Sequence, residues 1–153
     1  MSCGRTLGAA AVALTLVLAG CGGGGRLTKA AYEQKLQKAG RELSTSLRQL
    51  SRSNSKDEFK HGVDTVEKAL NDAADELDGI TPPQDVQGAN DRLVDGLRRL
   101  AHDFGEAKAA ADKGPDAARQ KGREITTGPA SREADDAIKQ IQRRGYDVGQ
   151  LGS

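Results

Sequence analysis

Aromatic residues are scarce in this sequence of 153 residues. It contains two Tyr, two Phe and no Trp, namely Tyr32, Phe59, Phe104 and Tyr146. Because aromatic side chains bury the most surface per residue, Leu, Ile, Val and Ala have to supply nearly all of a buried core. The length leaves room for one domain of ordinary size, so we expect a single, modest, aliphatic core.

Cysteine is almost absent and is confined to the amino terminus. Cys3 and Cys21 are the only two cysteines, and residues 22–153 contain none. That part of the chain can therefore form no internal disulfide and no Cys-rich zinc site.

An excess of charge of either sign is also missing. The full chain has 23 basic and 22 acidic side chains, and Arg5 is the only charged residue in positions 1–20. The remainder is formally neutral, whereas a nucleic-acid-binding domain is expected to show a basic excess or stripe. We therefore expect no nucleic-acid partner.

The first 21 residues have the three-part layout of a secretory signal. A short start with Arg5 precedes an uncharged run from Thr6, which is too short for a comfortable membrane span. A plain apolar anchor or a buried helix is the alternative interpretation, but the end of the run argues against it. Its last four residues resemble the lipobox of bacterial lipoproteins: Leu18, Ala19, Gly20 and Cys21.

This resemblance implies a location for the protein. In bacterial lipoproteins the Cys thiol receives a diacylglycerol, a dedicated peptidase cleaves just before the Cys, and the new amino terminus can be acylated, typically with palmitate. Cys21 would then be the lipidation site and the first residue of the mature chain. Two or three acyl chains retain a protein stably at a membrane. The resemblance thus implies a lipid anchor in the cell membrane, on its extracytoplasmic face within the cell envelope.

The chain divides into four predicted segments. They are a signal peptide over 1–20, a lipidated Cys with a Gly-rich tether over 21–27, a helical domain over 28–145 and a free C-terminal tail over 146–153. Gly-rich linkers behave as random coil, which favours a tether at Gly22–Gly25. A phosphate-binding loop would need a preceding strand and a following Lys-Ser or Lys-Thr, and neither is present.

Apolar residues recur at spacings of three and four along the predicted domain, which is the periodicity of a helix face. The first helix is expected to start at Thr28 as its N-cap, and the polar stretch 51–55 ends it. The second opens with a capping box of Ser55 and Glu58 and stops at Gly79, where we expect a left-handed conformation. The two stripes are Tyr32, Leu36, Ala39, Leu43, Leu47 and Leu50, then Phe59, Val63, Val66, Leu70, Ala73 and Leu77.

Signals for two further helices follow. Thr81, Pro82 and Gln84 predict an N-cap, a first helical residue and a capping-box partner for the third helix. Its stripe is Val86, Ala89, Leu93, Leu97, Leu100, Phe104, Ala107 and Ala111. The pattern weakens over 112–131, which we expect to be the least ordered part, and a last helix then ends at Gly145 with Tyr146 folded back on it. The sequence thus predicts an all-α fold, a helical hairpin extended to a three- or four-helix antiparallel bundle.

Charge differs between the first two helices. Residues 28–55 contain six basic and two acidic side chains, whereas residues 57–78 contain eight acidic and two basic ones. Because a short turn joins the two helices, we expect an antiparallel hairpin with opposite charges facing. Surface ion pairs contribute little to stability, so we interpret this pattern as setting register.

Candidates for metal binding or catalysis are few. His61 and His102 each lie two residues from an apolar stripe position, a step of about 200° that directs them to the solvent face. The acidic ridge of the second helix could attract a cation or a basic partner, although the basic first helix is the simpler explanation; its members are Asp64, Asp72, Asp75 and Glu76. No catalytic motif is found. We predict no catalytic residue, no metal site and no cofactor.

Three glycines interrupt the third helix: Gly88, Gly96 and Gly105. Each costs the helix on the order of 1 kcal/mol relative to Ala. They would allow a close helix approach or a ligand groove, but Gly is abundant in this chain, with 19 residues, and composition alone is an equal explanation.

The exported part resembles the small helical lipoproteins of actinobacteria, in which a leucine-periodic helix is followed by a hinge like Ile80–Thr81–Pro82–Pro83 and another long helix. That class has no established activity to carry over. Our first hypothesis is a non-catalytic, membrane-tethered module that binds an envelope protein partner through a helix face, without a deep pocket. The alternative is a carrier or sensor of a small ligand or cation held between the third and fourth helices, and an enzyme is a distant third.

Overall fold

The structure, a computed structural model, describes residues 25–152. Five α-helices occur in this range: α1 (Lys29–Ser51), α2 (Lys56–Asp78), α3 (Gln87–Asp112), α4 (Pro115–Thr127) and α5 (Pro129–Arg143). Two 3₁₀ turns, Gln84–Val86 and Gly149–Gly152, are the remaining helical elements, and these residues contain no strand. The all-α bundle predicted from the sequence is confirmed.

Each of α1, α2 and α3 runs antiparallel to the helix that follows it. Lys35 near the start of α1 binds Glu76 near the end of α2, with 2.8 Å between the lysine Nζ and the carboxylate. Further along, α3 lies against α2 on one side and against α4 and α5 on the other. The fourth layer of the bundle is therefore shared by α4 and α5, which are separated at Gly128 and Pro129. The residue before a proline is biased away from helical conformation, and Gly128 is extended, with ψ 172°.

The expected caps at the first two helices are present. Thr28 Oγ1 accepts a hydrogen bond from the Ala31 N–H (3.3 Å). Ser55 Oγ accepts one from the Glu58 N–H (3.2 Å). The Glu58 carboxylate accepts its bond from the N–H of Asn54 (2.7 Å), so the capping box is shifted by one residue from the usual reciprocal arrangement.

The turn between α2 and α3 differs from expectation in two ways. Gly79 is right-handed, with φ −72°, so the predicted left-handed end is wrong. The predicted N-cap at Thr81 is also wrong, because a 3₁₀ turn starts at Gln84 and α3 follows it without a side-chain cap. Pro83 disfavours a helical conformation at Pro82, which delays the helix. The Thr81 carbonyl instead accepts a hydrogen bond from the Leu27 N–H (2.8 Å).

The main core lies towards the end of the bundle where α1 begins. Tyr32, Leu36, Leu93 and Ile141 are fully buried there. Burial raises the pKa of the Tyr32 hydroxyl above its ordinary value. Much of this interior is aliphatic, as the low aromatic content requires.

Close backbone contact joins α3 to α5. A Cβ on Gly96 would lie 2.9 Å from the backbone nitrogen of Ala134, whereas one on Gly88 would meet nothing within 4 Å. Gly96 therefore allows a close helix approach, which was one of the expectations for these glycines, and Gly88 does not take part in one.

The C-terminal segment, residues 146–152, packs against the bundle, so the prediction of a free tail is wrong over this range. Gly145 is left-handed, with φ 83°, and the Tyr146 N–H donates to the Ile141 carbonyl (3.4 Å), the predicted fold-back. Val148 is 2% exposed, and Leu151 packs against the core. After α5 has ended, the chain thus continues along α1 and packs against it.

Residues 112–131, where the sequence pattern weakens, are mostly helical, because α4 lies within them. Ile125 is the only buried residue of α4. A helix with one buried position shows no apolar stripe, which explains why the sequence alone did not predict it. No helix among residues 25–152 has the length and hydrophobicity needed to cross a membrane.

Candidate functional site

The residues predicted to carry the lipid anchor lie outside the described part of the chain. They are Cys21 as the lipidation site and Leu18, Ala19 and Gly20 as the remainder of the lipobox. Their assignment stays a prediction. The described chain starts at residue 25, next to the amino-terminal end of α1.

Both histidines are on the surface, as predicted. His61 and His102 are exposed, and no group of three potential metal ligands occurs within residues 25–152. His102 borders a depression of about 220 Å³. Ligand pockets usually measure about 300–1,000 Å³, so this depression is too small to be a strong candidate.

The acidic ridge of α2 forms ion pairs with two neighbouring helices, α1 and α3. Glu76 accepts hydrogen bonds from Lys35 and Lys38 of α1, at 2.8 Å each. These bonds hold the pKa of the Glu76 carboxyl below its ordinary value. Glu76 thus forms ion pairs with the basic face of α1, as expected.

The other three members of the ridge form their ion pairs with residues outside α1. Asp64 binds Lys108 of α3 (2.6 Å), and Asp75 binds Arg98 of α3 (3.1 Å). Asp72 pairs with a lysine of α2 itself. The explanation from the first helix is therefore correct for Glu76 and wrong for Asp64 and Asp75, which pair with basic residues of α3. Asp72 pairs within α2, and the pKa of Lys38 of α1 is raised by its hydrogen bond to Glu76 and, to a smaller extent, by the charge of Asp72.

A cavity of about 790 Å³ opens at the end of the bundle where α1 ends. We call it the distal groove. The α1–α2 turn, the first turns of α2, the last turns of α3 and one face of α4 enclose it. Its apolar lining is Leu50, Phe59, Val63, Phe104, Ala107, Ala111, Ala118 and Ile125. Because α1 has 23 residues, the groove lies about 30 Å from Thr28.

The distal groove exists because the core is incomplete at this end. Val63, Ala107 and Ile125 are buried, yet they do not belong to the main core cluster. Small residues on α4 leave the space open, since a Cβ on Gly122 would meet nothing within 4 Å. The apolar residues at this end therefore line a groove that is open to solvent.

Both phenylalanines of the chain line the distal groove. Phe59 and Phe104 are only half-buried, whereas both tyrosines lie at the opposite end, with ring centroids 5.7 Å apart. The sequence placed Phe59 and Phe104 on core stripes, and the structure brings the two stripes together around an opening. Their position at the ends of two antiparallel stripes was the signal that could have indicated a shared site.

Charged side chains stand at the mouth of the groove. Asp112 Oδ1 binds Lys60 Nζ (2.6 Å) and Lys56 Nζ (2.9 Å). Hydrogen bonds from Lys60 and Lys56 lower the pKa of the Asp112 carboxyl to about 2. Two ammonium groups thus share one carboxylate, and Arg119 adds a guanidinium to the same rim.

The space expected between the third and fourth helices is found in a different place. The last helix predicted from the sequence is α5, and α3 packs on α5 too closely at Gly96 for a ligand to enter. The open space lies between α3 and α4, with α2 as its third wall. An apolar interior with a polar rim can bind an amphipathic ligand and can fix its orientation.

Comparison of the chain with protein-family models, curated proteins and solved structures finds no match.

Proposed function

We propose that this chain is an extracytoplasmic lipoprotein, anchored in the cell membrane through lipid on Cys21, and that its helical domain is a non-catalytic binding module. The lipobox-like residues before Cys21 support the anchor. The distal groove is the proposed binding site. The groove lies at the opposite end of the domain from the proposed anchor. Its mouth would therefore stay accessible while the anchor is inserted in the membrane.

One observation carries the binding role, namely the mainly apolar groove of about 790 Å³. Apolar surface that stays open to water is unfavourable, by about 25 cal/mol per Å² relative to burial. Filling the groove with larger side chains on α4 would have removed this cost. Its retention beside half-buried Phe59 and Phe104 favours a site that a ligand completes.

The volume of the groove, about 790 Å³, lies within the range of about 300–1,000 Å³ that is usual for small-molecule pockets, which favours a small ligand. The helix-face hypothesis predicts instead an exposed apolar or charged patch and no deep pocket. Leu47, 40% exposed, is the one large hydrophobic residue exposed within the described range, and a single exposed residue is ordinary. We therefore favour the carrier or sensor of a small apolar ligand.

The anchor is tested by metabolic labelling with an alkyne-tagged fatty acid in the native host. The wild-type chain is expected to take up label and to fractionate with membranes, and Cys21→Ser is expected to lose both properties. Cys3→Ser is the matched control and should keep them. An unlabelled wild-type chain with residues 1–20 still attached would disprove the lipoprotein assignment.

The binding role is tested by native purification followed by organic extraction and mass spectrometry. The wild-type chain should release an apolar small molecule in a stoichiometric amount. Gly122→Leu places a side chain in the open groove, so it should release much less, while Gly88→Leu, on an open position of α3 away from the groove, should match the wild type. Equal release from both variants would exclude the groove as the binding site.

A further inference from the structure

We infer that the ligand of the distal groove is an amphiphile with an aliphatic tail and an anionic head group, a carboxylate or a phosphate monoester. The tail lies among the apolar side chains, and the head group binds Lys56 and Arg119 at the mouth. This inference rests on the proposed function, because it assumes that the groove is a binding site and adds the chemical class of the ligand.

The interior of the groove fits an aliphatic tail. Phe104, Ala107 and Ala111 of α3 form one wall, and the seven residue steps from the first to the last cover about 10 Å of helix. Gly122 and Ala118 of α4 lie on the facing wall, and their small size leaves space between the two walls. The interior offers aliphatic and phenyl surface, whereas the polar groups of the lining are at the α1–α2 turn and at Lys56, Asp112 and Arg119, so a tail would enter with its polar end outward.

The charges at the mouth fit an anionic head group. Asp112 is shared by Lys60 and Lys56, and Lys56 is the more exposed of the two, with 53% of its side chain accessible against 27%. An anion that binds Lys56 would leave the bond between Lys60 and Asp112 intact. Lys56 and Lys60 carry two positive charges against the single negative charge of Asp112. A bound anion would neutralise the excess positive charge.

Arg119 supplies a second donor group. Its guanidinium binds Asp116 (2.5 Å), but that carboxylate side chain is 95% exposed and can exchange its partner for water at little cost. The side chain of Arg119 lies on the rim of the same groove as Lys56. A head group between these two side chains would receive charge-assisted hydrogen bonds from both, which are the strong class of hydrogen bond.

The ligand is a separate molecule rather than the chain's own anchor. Cys21 precedes Gly25 by four residues, which span at most about 14 Å when extended. The groove lies about 30 Å along α1 from the start of the helix. The sulfur of Cys21 therefore stays short of the groove mouth while the bundle is folded. The diacylglycerol expected on this sulfur has its acyl carboxylates esterified, so the anchor offers no anionic head group to Lys56 and Arg119.

The inference is tested by photocrosslinking of the full, lipid-anchored chain in native membrane vesicles. Four probes share one aliphatic tail with a diazirine, and their heads are a carboxylate, a phosphate monoester, a hydroxyl and a trimethylammonium group. Crosslinked peptides are then located by mass spectrometry. We expect the peptides of α3 and α4 that line the groove to be labelled about fivefold more by either anionic probe than by the hydroxyl probe, the factor that one exposed ion pair can supply.

Two matched pairs of variants accompany the probes. Gly122→Leu should abolish labelling of the groove by every probe, and Gly88→Leu should leave it unchanged. The double variant Lys56→Gln, Arg119→Gln should remove the preference for anionic heads. Its control, Lys68→Gln with Lys139→Gln, changes the net charge equally at exposed positions outside the groove and should retain the preference. Thermal unfolding of each variant verifies that it is folded.

Each outcome is decisive. Anionic preference that disappears in the Lys56, Arg119 double variant supports the inference, and the stronger of the carboxylate and phosphate probes identifies the source of the head group. Equal labelling by anionic and hydroxyl probes, lost in Gly122→Leu, overturns the anionic head group and leaves the binding role in place. Labelling that is the same in wild type and Gly122→Leu, or absent from α3 and α4, overturns both.

Discussion

Asn90 connects three helices through its side chain. It is 2% exposed, its Oδ1 accepts a hydrogen bond from the Tyr32 hydroxyl (2.9 Å), and its Nδ2 donates to the Leu77 carbonyl (3.1 Å). Buried polar groups are unfavourable unless they are paired. This pairing links α1 to α3 and to the end of α2, so it fixes the register of the bundle at one point in an otherwise aliphatic interior.

Tyr32→Phe is expected to destabilise the fold by about 1–3 kcal/mol, because it leaves the side-chain oxygen Oδ1 of Asn90 without a hydrogen-bond donor in the core. Urea unfolding followed by circular dichroism measures the change. Tyr146→Phe is the control, since the Tyr146 hydroxyl donates to the partly exposed Asp85 carboxylate and its removal should cost less. Equal losses in both variants would contradict the role assigned to Asn90.

Gly96 and Gly88 should respond in opposite directions to the same substitution. Gly96→Ala brings a methyl group to 2.9 Å from the Ala134 nitrogen, and such overpacking costs about 1–3 kcal/mol. Gly88→Ala meets nothing within 4 Å and should gain about 0.5–1 kcal/mol from helix propensity. The difference between the two free energies of unfolding is the measured quantity. Two variants of equal stability would show that α3 and α5 are not in close contact.

The carboxyl of Asp112 is expected to titrate well below an ordinary aspartate. Its pKa is lowered from 3.8 to about 2 by hydrogen bonds from Lys60 and Lys56. A lowered pKa in the folded state contributes stability above the unfolded pKa, and the contribution is lost as the pH falls through the folded value. The stability difference between wild type and Asp112→Asn should therefore shrink between pH 4 and pH 2. Carboxyl ¹³C NMR gives the midpoint directly, and it should rise in Lys60→Gln.

At the scale of elements, local signals decided what could be predicted. Thr28 and Ser55 are caps whose side chains bond the backbone three residues on, so the starts of α1 and α2 were predicted correctly. The long stripe of α3 follows the same period, so this helix was predicted too, but its start at Gln87 was not. By contrast, α4 has one buried residue, Ile125. Its helix is stabilised by its position against α3, which periodicity does not report.

The distal groove was beyond sequence analysis for a related reason. The sequence identified Phe59, Val63 and Phe104 as core-facing, and they do face inward. Whether the space between such stripes is filled depends on where the fourth layer lies. The break at Gly128 and Pro129 sets the placement of α4 relative to α5, and no residue spacing encodes that placement.

Removing the C-terminal segment should destabilise the bundle strongly. Truncation after Gly145 deletes Tyr146 and Val148, which are 8% and 2% exposed, and burial of such a side chain is worth about 1.5–3 kcal/mol. The combined loss is a large part of the 5–15 kcal/mol typical of a domain. Urea unfolding should show a lower midpoint for the truncation than for Val148→Ala, and Val148→Ala should itself unfold more readily than wild type. A truncated chain as stable as wild type would mean that the segment is the free tail predicted from the sequence.

The whole molecule has two unlike ends. Where α1 begins, the bundle is closed by Tyr32, Tyr146 and the C-terminal segment, and the buried polar groups are paired. Where α1 ends, the helices enclose the distal groove and α4 contributes little to the core. Low local packing favours local opening, so binding capacity and low stability are expected at the same end, and the lipid anchor is expected at the other.

Amide hydrogen exchange tests this polarity across the molecule. Amides of α4 should exchange at least about tenfold faster than those of α3 around Leu93 and Leu97, since opening α4 exposes little apolar surface while opening the middle of α3 requires nearly global unfolding. A ligand that fills the distal groove binds the closed state only and should slow exchange in α4 by mass action, and Gly122→Leu should abolish that slowing. Uniform exchange rates along the chain, before and after addition of an alkyl carboxylate, would indicate a single cooperative unit and would remove the link between the open end and binding.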